Sequence, residues 1–207
     1  MKEDSRLFWG SQSPLACLAG GGILVMASCR LAYAILCAGA LLWIYSISVL
    51  SVFPSRRFFP RCGVRLVLVV LCAVSGSLYL LLLWFINPLL GMEIFFIVSF
   101  SSLVCPGSGI FERIKTMDLG EAVSRALHEA AVLAFLIIAV ALIREPLGCL
   151  SLSLPGGKRG IIRLFSSGTE TFLPIRVFAS SSGALLLLGY GTGFYRYFKK
   201  LRGEDYP

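Results

Sequence analysis

The sequence predicts an all-α integral membrane protein whose six transmembrane helices form two inverted three-helix repeats, with broken first and fourth helices. Hydrophobic residues make up 57% of the 207 residues and charged residues only 14%, against about 25% charged residues in a typical soluble domain. The apolar residues form long blocks and the charges lie between them, which is typical of a chain that spans lipid. Two of the blocks are short, and they occupy matching places in the two halves of the chain.

The first three predicted spans form the first half of the chain. The first span, residues 14–29, has 16 residues, whereas a full span needs about 20. Three glycines at positions 20–22 interrupt it, and interrupted backbone is tolerated in a membrane only where it faces protein or a cavity. This span is therefore predicted to be a broken helix. The second span covers residues 31–53 and ends at Pro54, and the third covers residues 66–86.

The fourth span opens with a helix-capping signal and is again short. Asn87 followed by Pro88 is typical of an N-cap with proline at the first helical position. The span then covers residues 89–104 and is predicted to stop at Cys105, because the Pro-Gly-Ser-Gly run that follows disfavours helix. We therefore expect a second broken helix here.

The last two spans complete the second half. An amphipathic stretch, residues 111–128, leads into the fifth span, residues 130–143, whose start can extend back to Ala126. The Arg-Glu-Pro segment at residues 144–146 is predicted to close that span. A long loop follows, and the sixth span covers residues 175–194 before a basic tail.

These spans predict one polytopic domain over residues 1–207, with repeats at about residues 7–87 and 88–202. An odd number of spans in each repeat makes the two repeats run in opposite directions through the membrane. Broken helices at matching places in such repeats meet near the middle of the bilayer and form the binding site there.

The basic residues predict the orientation of the chain. The net charge of +8 does not indicate a nucleic-acid-binding protein, because the Lys and Arg residues lie in short clusters beside apolar spans. Thirteen of the 19 fall on the side that carries both termini. Since basic loops stay in the cytoplasm, both termini are expected there, with the chain in the cell inner membrane.

Seven cysteines are present, an odd number that argues against a disulfide framework. Any one of them can be a small apolar residue of a helix bundle. Glu93 lies inside the fourth span, where a carboxylate can be functional or can be stabilised by the nearby helix N-terminus; we favour the second interpretation. Arg144 and Glu145 are expected to anchor the fifth span at the membrane surface.

Three motifs in the second half resemble one protein family. They are Cys105-Pro106-Gly107-Ser108-Gly109-Ile110-Phe111-Glu112, Met117-Asp118-Leu119-Gly120 and Ile143-Arg144-Glu145-Pro146-Leu147-Gly148. These motifs are similar to those of the small membrane subunits of the Rnf and Nqr electron-transport complexes, in particular the E component of Rnf and the D component of Nqr. The spacing of the sixth span and its basic tail also fits that family, while the first half of the chain resembles it weakly.

The resemblance implies a shared iron–sulfur cluster. Two related subunits of opposite topology would each contribute two cysteines, one from each broken helix, to a [2Fe-2S] cluster inside the membrane. Cys105 matches the second ligand and Cys17 falls where the first would be. An alternative alignment would place Ser101 at the second ligand position and remove a ligand. Four thiolates are the usual ligand set of such a cluster, so one subunit with two cysteines needs a partner.

The function implied by the resemblance is that of a non-autonomous subunit of a redox-driven translocase. The complex would pass electrons through the cluster and couple this to movement of Na⁺ or H⁺. Inverted repeats with broken helices are equally typical of secondary transporters, and a structural membrane subunit that has lost its cluster is a third possibility.

Overall fold

The computed structural model describes residues 22–58, 63–110, 118–156, 161–166 and 176–201. These residues are mostly helical. Four of the helical segments are long and apolar enough to cross a membrane, and they are Leu31–Ser51, Leu66–Ile86, Pro88–Gly107 and Leu119–Cys149. The predicted helical class is therefore confirmed, and four of the six predicted spans correspond to helices with the length and hydropathy of membrane spans. Most of the predicted first span lies outside the described residues.

The first helices agree with the sequence-based spans except at their ends. Helix α1, Ile23–Ala27, is the described end of the first span, and α2, Leu31–Phe58, follows it. Pro54 was predicted to end the second span, but it lies inside α2. Helix α3, Gly63–Ile86, contains the predicted third span.

The fourth span is a broken helix whose break lies earlier than predicted. Helix α4, Pro88–Ser101, is capped by Asn87, whose side chain accepts hydrogen bonds from the backbone N–H groups of Leu89 and Leu90. This confirms the capping signal. The helix ends before Ser102, and α5, Val104–Gly107, is a separate four-residue helix. The prediction that helix stops at Cys105 was wrong, because Cys105 lies inside α5.

The fifth span is much longer than predicted. Helix α6, Leu119–Cys149, continues through the Arg-Glu-Pro segment and ends at Leu150, which has a left-handed backbone with φ 48°. A proline removes one helical hydrogen bond, but Pro146 lies in the last turn of α6, where one lost bond costs little. The charged pair before it is buried against other helix ends, and this supports the last turns of α6.

The long loop predicted after the fifth span contains an antiparallel hairpin that the sequence did not reveal. Strand β1, Ser151–Pro155, pairs with β2, Ile161–Ser166. Helix α7, Arg176–Ala179, and α8, Ser181–Leu201, then occupy the region of the predicted sixth span, which is interrupted at Ser180. Among the described helices, α8 is not one of the four with the length and hydropathy of a span.

The core of the bundle is the pair α2 and α6, which pack together more extensively than any other two described elements. Small residues recur about every four positions on the buried face of α6 and let the two backbones approach closely. These residues are Ala122, Ala126, Ala130, Ala134 and Ala141. Helix α3 packs on the side of α2 and leaves most of its own surface exposed.

Contacts between helix ends establish the direction of each helix. The end of α6 binds the start of α2 through Glu145 and Leu31, and the starts of α2 and α4 meet through Tyr33 and Glu93. The end of α6 also binds Ser180, just before α8. Helices α2 and α4 therefore run in one direction and α3 and α6 in the other, while α8 begins at the end of the bundle where α6 ends.

This arrangement predicts that the hairpin and the C-terminal end of α8 lie on opposite sides of the membrane. Reporter domains fused at Phe165 and after Leu201 should give opposite readings for exposure to the cytoplasm. Equal readings from the two fusions would contradict the arrangement of α8.

Candidate functional site

Cys105 lies at the break of the fourth span and is completely buried. Before the break, the hydroxyls of Ser101 and Ser102 donate to carbonyls of the preceding turn, at 2.7 Å each. After it, the Ser108 hydroxyl donates to the Cys105 carbonyl at 2.8 Å. Ser102 and Ser108 thereby satisfy carbonyls that an unbroken helix would bind itself, whereas the Val98 carbonyl also accepts from the Ser102 N–H. The backbone around Cys105 can therefore leave regular helix inside a protein interior.

A second thiol lies beside Cys105. Cys72, on α3, is also buried, and its thiol interacts with that of Cys105. The Ser48 hydroxyl of α2 lies 3.1 Å from the Cys72 sulfur. The same hydroxyl also interacts with the side chain of Cys105. Glu129, a largely buried acid on α6, is close enough to act electrostatically on Cys105. We call Ser48, Cys72 and Cys105 the thiol pocket.

The structure places only part of the predicted ligand set. Cys105 lies in the thiol pocket, and Ser101 lies on the other side of the break, where its hydroxyl is used by the helix end. Cys17 lies outside the described residues. The sequence alone presents Cys72 as an ordinary residue of a regular span, because hydropathy does not say which faces of two helices meet.

The described parts of the two broken spans share a backbone feature. Gly22 and Gly109 both have φ 68°, in the left-handed region, and each is followed by a buried isoleucine at which helix resumes, Ile23 and Ile110. Glycine adopts this conformation without the steric cost that other residues meet. A left-handed glycine thus directly precedes a helical isoleucine at two matching places.

Replacing either glycine with alanine should strain the backbone without any steric clash. A Cβ at Gly22 or Gly109 would meet no atom of the described residues within 4 Å, so the expected cost is conformational, roughly 1–2 kcal/mol for a left-handed residue. Gly120 also has open space but no positive φ, so Gly120→Ala should be neutral or stabilising. Reversible unfolding in detergent would measure all three variants, and equal values would contradict the role of the left-handed glycines.

Arg144 is buried, with 2% of its surface exposed, and binds the ends of two short helices. Its Nη1 donates to the Val25 carbonyl and to the Ser28 hydroxyl, both at 2.8 Å. Its Nε and Nη2 donate to the carbonyls of Phe178 and Ser180, both at 2.9 Å. A cation at the C-terminal end of a helix is favourable, and one guanidinium here serves both α1 and α7.

Glu145 binds the start of α2 from the same end of α6. Its Oε2 accepts a hydrogen bond from the Leu31 N–H at 2.7 Å, and the Ser153 hydroxyl of β1 accepts from the Ala32 N–H at 3.4 Å. The sequence predicted that Arg144 and Glu145 anchor the span at the membrane surface. Both side chains are buried among helix ends, so their contacts are with other parts of the protein.

Glu93 lies on an exposed face of α4, in the second turn of the helix. It accepts a hydrogen bond from the Tyr33 hydroxyl at 2.8 Å, and the Arg30 guanidinium lies 5.7 Å from the centre of the Tyr33 ring. This position agrees with the predicted acid near a helix N-terminus.

An apolar groove of about 540 Å³ lies between α3 and α4. Its lining residues on α3 are about 8–18 Å along the helix from Cys72. The groove is therefore separate from the thiol pocket.

Removing the Arg144 guanidinium should destabilise the protein strongly. Arg144→Met leaves three carbonyls at helix ends without the donor that they now bind, and an unsatisfied buried group costs about 1–3 kcal/mol, so a loss of about 3 kcal/mol is expected. Arg30→Met, on the same end of the bundle, removes a cation–π contact of about 0.5–1 kcal/mol. Unfolding in detergent should separate the two variants, and equal losses would contradict the importance of the Arg144 contacts.

Within the described residues, no group of three or more His, Cys, Asp or Glu side chains is placed to hold a metal ion. Comparisons with protein families, with curated proteins and with solved structures find no match to this chain. The function is therefore inferred from the chemical character of Cys105 and its neighbours. A buried thiol at a helix break is a suitable ligand for a soft metal or an iron–sulfur cluster.

Proposed function

We propose that this chain is a membrane subunit of an electron-transport complex of the Rnf and Nqr type, corresponding to the E component of Rnf or the D component of Nqr. In this proposal it contributes Cys17 and Cys105 to a [2Fe-2S] cluster that it shares with a related subunit of opposite topology. The observation that carries the proposal is the burial of Cys105 at a break in the fourth span.

The matching glycines support the proposed inverted repeat. Gly22 follows Cys17 by five residues and Gly109 follows Cys105 by four, and the two glycines have the same left-handed backbone. In the proposed fold, α2 and α6 are equivalent second helices of the two repeats. Their opposite directions and their central packing are what a two-fold axis in the membrane plane requires.

The surroundings of Cys105 suit a ligand of an iron–sulfur cluster. The cluster would carry single electrons through the membrane interior, where side chains alone cannot. Cys105 would hold one iron from a short helix that is buried within the bundle, and such burial limits water access and influences the reduction potential. Two thiols from one subunit leave two positions for the partner.

The proposed location is the cell inner membrane, with both termini in the cytoplasm. The hairpin and the Arg144 contacts then lie at the periplasmic end of the bundle. Electron transfer through the complex would drive movement of Na⁺ or H⁺, and the chain would act only as part of that assembly.

Replacing the proposed ligands should remove or strongly change the cluster signal, because serine is a poor ligand for iron–sulfur chemistry. Cys17→Ser and Cys105→Ser are the test variants. Cys37→Ser is the matched control, since Cys37 is as buried in α2 as Cys105 is in α5. The measurement is electron paramagnetic resonance of the dithionite-reduced complex, after confirming that each variant assembles.

A normal signal in Cys105→Ser would reject this chain as a cluster ligand and would favour a structural subunit. Substrate uptake by the isolated chain in proteoliposomes, without iron in the wild-type complex, would instead favour a secondary transporter.

A further inference from the structure

The pairing of two buried thiols has a consequence beyond cluster binding. The described residues include five cysteines, all in the free thiol form, and they are Cys29, Cys37, Cys72, Cys105 and Cys149. Among these, Cys72 and Cys105 are both buried where α5 packs against α3 and α2, and their side chains interact there. They come from α3 and from α5, on opposite sides of α4 in the sequence, so only the fold brings them together.

We propose that Cys72 and Cys105 form a redox-active dithiol, which closes to a disulfide when the subunit is oxidised without its cluster. Closing the disulfide would withdraw Cys105 from iron. This second part rests on the proposed function, whereas formation of the disulfide does not.

The local structure favours movement of Cys105 towards Cys72. Helix α5 has only four residues, between the break at Ser102 and the left-handed Gly109. A disulfide needs a Cβ separation of about 3.5–4.5 Å, and α5 packs directly against α3, so a shift of this short helix can bring the two sulfurs to bonding distance. The Ser48 hydroxyl, 3.1 Å from the Cys72 sulfur, can hydrogen-bond to a thiolate there and stabilise it.

The reaction needs an oxidant that takes two electrons and two protons and can enter a membrane protein, such as a diazene of the diamide type. The first thiol adds across the N=N bond and forms an S–N bond. The second thiol then attacks that sulfur, so the S–S bond forms as the S–N bond breaks. Both thiol protons end on the two nitrogens, which leave as a hydrazine. Burial slows access of such reagents to a thiol, so the reaction is expected to proceed over a long incubation.

The test uses the full chain with Cys17, Cys29, Cys62 and Cys149 replaced by serine, so that Cys105 can pair only with Cys72 or Cys37, and the protein is purified without iron in detergent. After diamide treatment the protein is unfolded, alkylated with N-ethylmaleimide and analysed by peptide mass spectrometry. We expect a Cys72–Cys105 linked peptide and loss of alkylation at both residues. With Cys72→Ser added, Cys105 should remain fully alkylated, and with Cys37→Ser added, the link should still form.

Full alkylation of both residues in the parent, or a link that persists at Cys105 in Cys72→Ser, would overturn the dithiol. Its failure is distinguishable from failure of the proposed function. A complex with a cluster signal that depends on Cys105 but with no linked peptide rejects the dithiol alone. A linked peptide in the chain, together with no cluster signal from the assembled complex, rejects the proposed cluster but not the dithiol.

Discussion

The burial of Arg144 governs the arrangement of the helix ends. A guanidinium away from water must use its donors, and those of Arg144 bind the backbone where α1 ends and where α7 gives way to α8. The adjacent Glu145 has the opposite charge and binds the start of α2. Arg144 and Glu145 at the end of α6 therefore bind both C-terminal and N-terminal ends of other helices. The C-terminal ends contact the cation and the N-terminal end contacts the anion, as the helix dipole favours.

These contacts matter because the chain contains short helices that have little stability of their own. A helix of four or five residues cannot offset the free energy of its nucleation, so α1, α5 and α7 need support from elsewhere. Arg144 supplies it to α1 and α7, whereas serine hydroxyls and packing against α3 supply it to α5. The interruptions are possible in an apolar setting because freed carbonyls find donors within the protein.

The central α2–α6 pair explains why the thiol pocket has its position. Alanines on α6 allow the two helices to lie close together, and α3 packs beside α2. Cys72 on α3 and Ser48 on α2 then meet the short helix that carries Cys105. Ordinary small residues of regular helices thus become neighbours of the broken one. Nothing in the sequence separates Cys72 from Cys37, and the difference between them is that Cys72 faces Cys105.

Hydropathy and local backbone preferences were enough to predict the membrane class, the four described spans, the Asn87 cap and the presence of a break near Cys105. The remaining features follow from tertiary packing. Pro54 and Pro146 both lie within helices, and the buried Arg144 and Glu145 support the last turns of α6 around Pro146. Arg144 and Glu145 are buried, since helix ends from distant parts of the chain offset the cost of burying charge. Cys72 lies beside Cys105 because tertiary packing determines which helix faces contact each other. The linear sequence pattern does not contain that information.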